Sequence, residues 1–268
     1  MNTSRMNEIF NVILLGLIEG ITEFLPISST GHLLIAEHWL GARSDLFNIA
    51  IQAGAIVAVC LIYRQRLWQL ATGLGEKEQR DYAAKLLLAF GITAVLGLIV
   101  AKAGFKLPEA VAPVAWALVI GGIWILAAER LVANKPEVTT IAWHTAALVG
   151  LLQVAAGVFP GTSRSAATIF VALLAGTTSR AAATEFAFLV GIPTMFAASG
   201  YALLKTLGHE EAHEDWGLLG IAFAVSCVTA FVVVRWLLGY IRAHRYTAFA
   251  WYRIALGLAL LLGLPAGA

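Results

Sequence analysis

Five stretches of this chain run close to the thickness of a bilayer without one charged residue: Phe47 to Tyr63, Leu86 to Ala101, Ala110 to Ala128, Phe186 to Leu204 and Trp216 to Val234. A spanning helix needs about 20 mostly apolar residues. Ile254 to Ala268, extended back through Phe249, makes a sixth. Hydrophobic residues are 60% of the chain and charged ones 13%, against about 45–50% and about 25% in a soluble domain. No compact interior of this size hides that much apolar surface, so lipid must cover it. Strand-like alternation is absent, which excludes a barrel. Trp68, Trp216, Trp236 and Trp251 fall near the run ends, where an indole prefers the headgroup region. A net charge of +2 offers no basic field for nucleic acid. Cys60 and Cys227 sit inside apolar runs, so neither a disulfide framework nor a zinc site has support. The fold class is an all-α polytopic membrane protein, read as one integral membrane domain over residues 1–268.

Two further stretches are interrupted. Ile9 to Ala36 carries Glu19, Glu23, Pro26, Ser28, Ser29, Thr30 and His32; Ile141 to Ala175 carries Gln153, Pro160 and the run Gly161 to Ser165. Glu8, Glu19 and Glu23 flank the first apolar run, and no small-residue cleavage site follows it, so it reads as retained structure rather than a signal peptide. Irregular backbone at membrane depth is tolerated where protein or a water-filled cavity receives it. Both stretches therefore read as re-entrant helical hairpins. Hairpin plus three spans, twice, gives six transmembrane helices plus two re-entrant hairpins, with the second half inverted.

A weak internal match supports that repeat. Gly16 to Ile35 and Gly150 to Ile169 lie 134 residues apart, half of 268, and align Pro26 with Pro160 and Ser29 with Ser163. The half-repeats are about 1–134 and 135–268. Inverted repeats meeting at broken helices are one way to build a site inside a bilayer. The two repeats are chemically unequal: Glu19 and Glu23 face Gln153 and Gly157, and Thr30 faces Arg164.

Glu19 and Glu23 share a helix face, with no Lys or Arg within four residues. Like charges at that spacing repel, and low dielectric adds a desolvation cost, so the pair calls for a proton or a cation. Two carboxylates suit a hard divalent ion, Mg²⁺ or Ca²⁺, or general acid–base work. Ser28, Ser29 and Thr30 offer hydroxyls, and His32 beside them an imidazole. Either Ser29 or His32 can attack phosphorus. In the second hairpin Thr162, Ser163 and Ser165 offer hydroxyl donors, and Arg164 a fork suited to phosphate oxygens. Acids, nucleophile and anion clamp together are the equipment of metal-assisted phosphoryl transfer on an anionic lipid headgroup.

The runs EGITEFLPISSTGH (Glu19 to His32) and PGTSRSAAT (Pro160 to Thr168) resemble the two signature regions of the undecaprenyl-diphosphatase, or bacitracin-resistance, family. The resemblance extends over essentially the whole chain, including Glu185 within ATEFAFL and the Tyr252–Arg253 pair. It implies hydrolysis of undecaprenyl diphosphate to the monophosphate in recycling of the cell-wall lipid carrier. It also implies a divalent metal, a bacterial inner membrane, and an active site open to the periplasm. By position, Glu19 and Glu23 correspond to its acidic motif, Ser29 and His32 to its catalytic pair, and Arg164 to its phosphate-binding arginine.

A type-2 phosphatidic-acid phosphatase would need a second His where this chain has Phe170. A polyprenyl-phosphate transporter or flippase of inverted-repeat build is the remaining alternative; the lopsided repeat favours a fixed catalytic site. No motif specifies prenyl length or oligomeric state, a homodimer included. His209 to Asp215 reads as a solvated loop.

Sidedness follows from the cations. Twelve of the 18 Lys and Arg, from Arg64 to Lys85, Arg130 to Lys135, Arg180, and Arg235 to Arg253, fall on one side of this topology. Arg5, Arg43, Lys102, Lys106 and Lys205 fall on the other, and Arg164 lies within the second hairpin. The richer side is cytoplasmic. Reporter fusions should place the Glu76 loop in the cytoplasm; an outside location sinks this topology.

Overall fold

A computed structural model describes residues 3–103, 111–207 and 215–263. Lys106, the His209 to Glu214 segment, the end of the sixth apolar run and the side chain of Lys205 lie outside the described residues. All regular structure among the described residues is helical: α1 (Thr3–Thr22), α2 (Ser29–Leu40), α3 (Asp45–Ile62), α4 (Arg64–Thr72), α5 (Lys77–Lys102), α6 (Val111–Val132), α7 (Trp143–Val158), α8 (Arg164–Leu174), α9 (Arg180–Leu207), α10 (Trp216–Ala243) and α11 (Thr247–Gly263).

The five charge-free runs form α3, α5, α6, α9 and α10, and each is long and apolar enough to cross a membrane. Capping residues set where several begin. Ser44 Oγ accepts from Phe47 N at 3.0 Å to start α3. Asp215 Oδ1 accepts from Gly217 N at 2.9 Å and Leu218 N at 3.1 Å to start α10. The sixth run forms α11, apolar but only 17 residues long. The two interrupted stretches break where expected, giving the packed pairs α1–α2 and α7–α8. The short polar helix α4, with Trp68 exposed, was not anticipated.

Helix packing is close because glycines remove the obstacle. A Cβ on Gly16 would lie 2.6 Å from Ala222 O, and one on Gly54 2.5 Å from Phe223 O, so α1 and α3 both seat directly on the backbone of α10. A Cβ on Gly150 would lie 2.6 Å from Ala89 O, seating α7 on α5 in the same manner. Gly16 and Gly150 are the residues that head the two matching segments. Exchanging α1 with α7, α3 with α9, and α5 with α10 turns the contacts α1–α10 and α3–α10 into α7–α5 and α9–α5, both of which occur. The pairs α3–α9 and α6–α11 supply the remaining large contacts between the halves.

Away from the breaks, one buried ion pair ties three helices. Glu129 on α6 is 1% exposed and accepts from Arg180 of α9 through Nε (2.9 Å) and Nη2, and from the backbone N–H of Tyr246 (3.0 Å) ahead of α11. Phe170 packs edge-on against Tyr246 with ring centroids 5.2 Å apart, continuing this core into α8. Large apolar side chains such as Leu87, Ile120, Val228 and Leu262 face outward, as lipid contact requires.

Two details differ from the sequence reading. Arg253, counted there among the cytoplasmic cations, is 0% exposed in the middle of α11. The capping serines that open α2 and α8 are Ser28 and Ser163, two residues after Pro26 and three after Pro160. The breaks are therefore one residue out of the sequence register, and Ser29, rather than Thr30, is the counterpart of Arg164 as first residue of its helix.

The close seating of α3 is testable. Gly54→Leu should destabilise the protein by about 1–3 kcal/mol through overpacking, read as a lower thermal midpoint in detergent. Gly91→Leu, on a helix face with no neighbour within 4 Å, should leave it unchanged.

Candidate active site

Proline ends the first helix of each broken pair. Pro26 lacks the N–H that would bond to the carbonyl of Thr22, and its ring clashes with the preceding turn. α1 accordingly stops at Thr22 and α7 at Val158, ahead of Pro160. The chain then reverses through a serine in each break: Ser28 (φ 75°) and Ser163 (φ 68°) are the two non-glycine residues with positive φ among the described residues. Such a conformation costs about 1–3 kcal/mol and persists where the surroundings enforce it. Each serine caps its own helix, Ser28 Oγ accepting from Gly31 N and Ser163 Oγ from Ala166 N, both at 3.3 Å. Ser165 Oγ also donates to Leu25 O at 3.1 Å, a direct bond from α8 to the first break.

These reversals point the first residue of each returning helix at one carboxylate. Ser29 Oγ donates to Glu23 Oε2, and Arg164 Nη2 donates to Glu23 Oε1. Glu23 is 8% exposed, so both charge-assisted bonds form in a poorly solvated place where they are strong. Glu23, Ser28, Ser29, Thr30, Ser163 and Arg164 all line one cavity of about 510 Å³. The N-termini of α2 and α8 open onto it, so two helix dipoles favour an anion there.

Glu19 lies one turn behind Glu23, is 0% exposed, and has no hydrogen-bond partner on either carboxylate oxygen among the described residues. A carboxylate so placed needs a proton or a cation. Among the described residues no group of three His, Cys, Asp or Glu gathers. The available donors are thus two carboxylates and hydroxyl oxygens. That oxygen-only set fits a hard cation whose remaining ligands are water and phosphate oxygens.

The other sequence candidates are set further out. Thr162 and Ser165 stand beside the cavity lining rather than in it. His32 turns away: Nδ1 bonds to Ser28 O at 2.7 Å and Nε2 to the Tyr252 hydroxyl at 2.7 Å, with the two rings stacked at 5.6 Å. Both ring nitrogens are engaged, and neither reaches Ser29.

Sequence reasoning passed over Gln52, Thr93 and Thr194, gave Gln153 no place in the site, and left Arg253 among the surface cations. Gln52, Thr93, Gln153 and Thr194 line the same cavity as Glu23 and Arg164. Gln153 donates to Thr93 Oγ1 at 3.3 Å, while its carbonyl oxygen has no partner among the described residues. Scanning for charge-free runs passes over such residues by design; a polar side chain inside an apolar run was the available signal. The buried cation is Arg253, whose signal was an arginine inside the sixth apolar run.

Comparison with known proteins covers nearly the whole chain. Residues 12–259 match the family model described as bacitracin resistance protein BacA. A protein of Rhizobium etli named undecaprenyl-diphosphatase is 65% identical over 257 residues, covering 96% of this chain and 97% of the relative. One of the same name from Xanthomonas oryzae pv. oryzae (strain PXO99A) is 61% identical over 266 residues, covering 98% of this chain and 100% of the relative. A third, from Xanthomonas axonopodis pv. citri, is likewise 61% identical over 266 residues. With both helix breaks inside the matched span, the chain belongs to the bacitracin resistance protein BacA family.

Proposed function

We propose that the chain hydrolyses undecaprenyl diphosphate to undecaprenyl phosphate and phosphate, returning the lipid carrier to cell-wall synthesis. The observation that carries this is Glu23, whose two carboxylate oxygens take the Ser29 hydroxyl and the Arg164 guanidinium in one cavity. Relatives at 61–65% identity that carry the name undecaprenyl-diphosphatase support the same reaction.

The geometry supports the following steps. The terminal phosphate enters the cavity between the N-termini of α2 and α8, and Arg164 exchanges Glu23 for its oxygens. Glu23 accepts the Ser29 proton as Ser29 Oγ attacks the terminal phosphorus, and the P–O bond to undecaprenyl phosphate breaks. Glu23 gives that proton to the departing phosphate oxygen, then takes one from the water that attacks the phosphoserine and returns it to Ser29 Oγ as phosphate leaves. Ser29 is preferred to His32 as nucleophile because it touches the base and lines the cavity, whereas His32 is held by Ser28 and Tyr252. Glu19 and Glu23 would hold a divalent cation, Mg²⁺ or Ca²⁺, whose chemistry when bound is to neutralise charge on phosphate oxygens. Ser28, Thr30 and the Thr162 to Ser165 segment supply donors around that anion.

The same reading places the protein in the bacterial inner membrane with the two broken pairs re-entrant, the halves inverted and the cavity facing the periplasm. The cation bias supports it, even with Arg253 removed from the count. A flippase reading is disfavoured because the trio is unique to one arrangement: Glu23's repeat counterpart, Gly157, has no side chain to serve a mirrored state.

Purified protein in detergent should release phosphate from a long-chain polyprenyl diphosphate, and a chelator should stop it, with Mg²⁺ or Ca²⁺ restoring it. Activity that survives exhaustive chelation overturns the metal assignment. Glu23→Gln and Ser29→Ala should each lower kcat by about 10²–10⁴-fold, the range for losing an acid–base group or more, and Arg164→Ala by about 10²–10³-fold, as for a charge-stabilising donor. Full activity in any of these folded variants refutes the site. His32→Gln should retain at least a tenth of the activity; loss as deep as that of Ser29→Ala would return the nucleophile's role to the imidazole.

A further inference from the structure

Among the described residues Arg253 is the largest fully buried side chain, and no carboxylate pairs with it. Its acceptors are all backbone carbonyls. Nη1 donates to Pro26 O at 3.3 Å; Nη2 donates to Gly161 O (3.0 Å), Thr162 O (3.2 Å) and Ala117 O (3.0 Å); Nε donates to Leu118 O at 3.4 Å. One planar fork thus joins the first break, the second break and α6. Opposite it, a Cβ on Gly121 would stand 2.2 Å from Nη2 and 2.8 Å from Cζ. Glycine at 121 is what leaves room for the guanidinium.

Burying an unpaired cation costs several kcal/mol more than burying a hydrocarbon of the same volume. Packing alone does not account for an arginine here. The break carbonyls do: they have no helical N–H to accept from, and each left without a donor at membrane depth is itself costly. Lysine offers three donors from one point and does not span the set. Glu23 precedes Pro26 by three residues, and Arg164 follows Thr162 by two, so a shift of either carbonyl away from the fork is passed along a short stretch of backbone to Glu23 or Arg164.

We infer that Arg253, seated by Gly121, is a positioning residue that holds the two breaks in register so that Ser29, Glu23 and Arg164 meet. It contacts none of the reacting groups and does not line the cavity. The inference rests on the phosphatase reading for its kinetic consequence, while its geometric half stands apart from it.

The test uses Arg253→Met, Arg253→Lys, Gly121→Ala and the Arg253→Met/Gly121→Ala double variant of the full chain in detergent. Phosphate release from a polyprenyl diphosphate should fall about 10²-fold in kcat for either Arg253 variant, the scale of a 1 Å misplacement, with KM changed less than about threefold. Gly121→Ala should lower kcat about tenfold in the parent but less than about twofold in the Arg253→Met background, since the seat matters only with the fork in place. Hydrogen exchange should rise at 23–29 and at 159–164 together in the Arg253 variants. Wild-type kcat in folded Arg253→Met, or additive effects in the double variant, overturns the proposal. If Arg253→Met does not fold, Gly121→Ala carries the test, and full activity there overturns it. If the parent protein releases no phosphate, the functional reading falls alone; hydrogen exchange unchanged at both breaks would then sink the positioning role.

Discussion

Everything in this protein turns on how two interrupted helices keep their backbone polar groups satisfied where water is scarce. An intact helix bonds its own N–H and C=O groups; a broken one leaves several of each to be met by something else. Here the answers are specific. Ser28 and Ser163 cap the returning helices, Ser165 donates to Leu25 O, and Arg253 takes the carbonyls of Pro26, Gly161 and Thr162. Each break is therefore satisfied partly by its own capping serine and partly by donors from elsewhere in the fold, Ser165 and Arg253 among them. That interdependence ties the two breaks to each other and to α11.

The same interdependence concentrates unequal chemistry at the junction. The first break contributes carboxylate and hydroxyl, the second a guanidinium, and they converge on Glu23. Elsewhere the molecule contains a second buried ion pair, Glu129 with Arg180, but there the carboxylate is also bonded by the Tyr246 N–H and the pair ties helix ends together. The contrast separates function from scaffolding. Glu129 takes its donors from Arg180 and the Tyr246 N–H, whereas Glu23 faces a cavity, and its partners are a serine hydroxyl and an arginine side chain that is 29% exposed.

Much of this was legible in the residues. Charge-free runs located five long helices because hydrocarbon tolerates no unpaired charge, and Pro26 and Pro160 located the breaks because proline cannot continue a helix. Glu23 and Arg164 were recognisable because a charge is expensive in a membrane without a purpose, and Ser29 through the resemblance of the run that holds it. Other features were not. Counting charge hid Gln52 and Thr93 inside apolar runs, and a span-and-loop scheme put Arg253 at the surface when α11 carries it inward. The pairing of the breaks came out one residue off because residue identity was aligned, while the backbone aligns the positions that must adopt a positive φ.

His32 illustrates the boundary most clearly. Its neighbourhood in sequence, four residues from Ser28 and nine from Glu23, suggested one catalytic cluster, yet the helix that begins at Ser29 carries its ring toward Tyr252, 220 residues away. The amino-acid sequence by itself determined a lipid-embedded helical chain, the places where two helices must break, and the chemical types available at those breaks, since all three follow from local cost. Only the tertiary structure decided which of those groups meet. Their meeting depends on Gly16, Gly54 and Gly150 letting helix backbones touch, and on one buried fork gathering carbonyls from three separate segments; neither is a property of any single stretch of sequence.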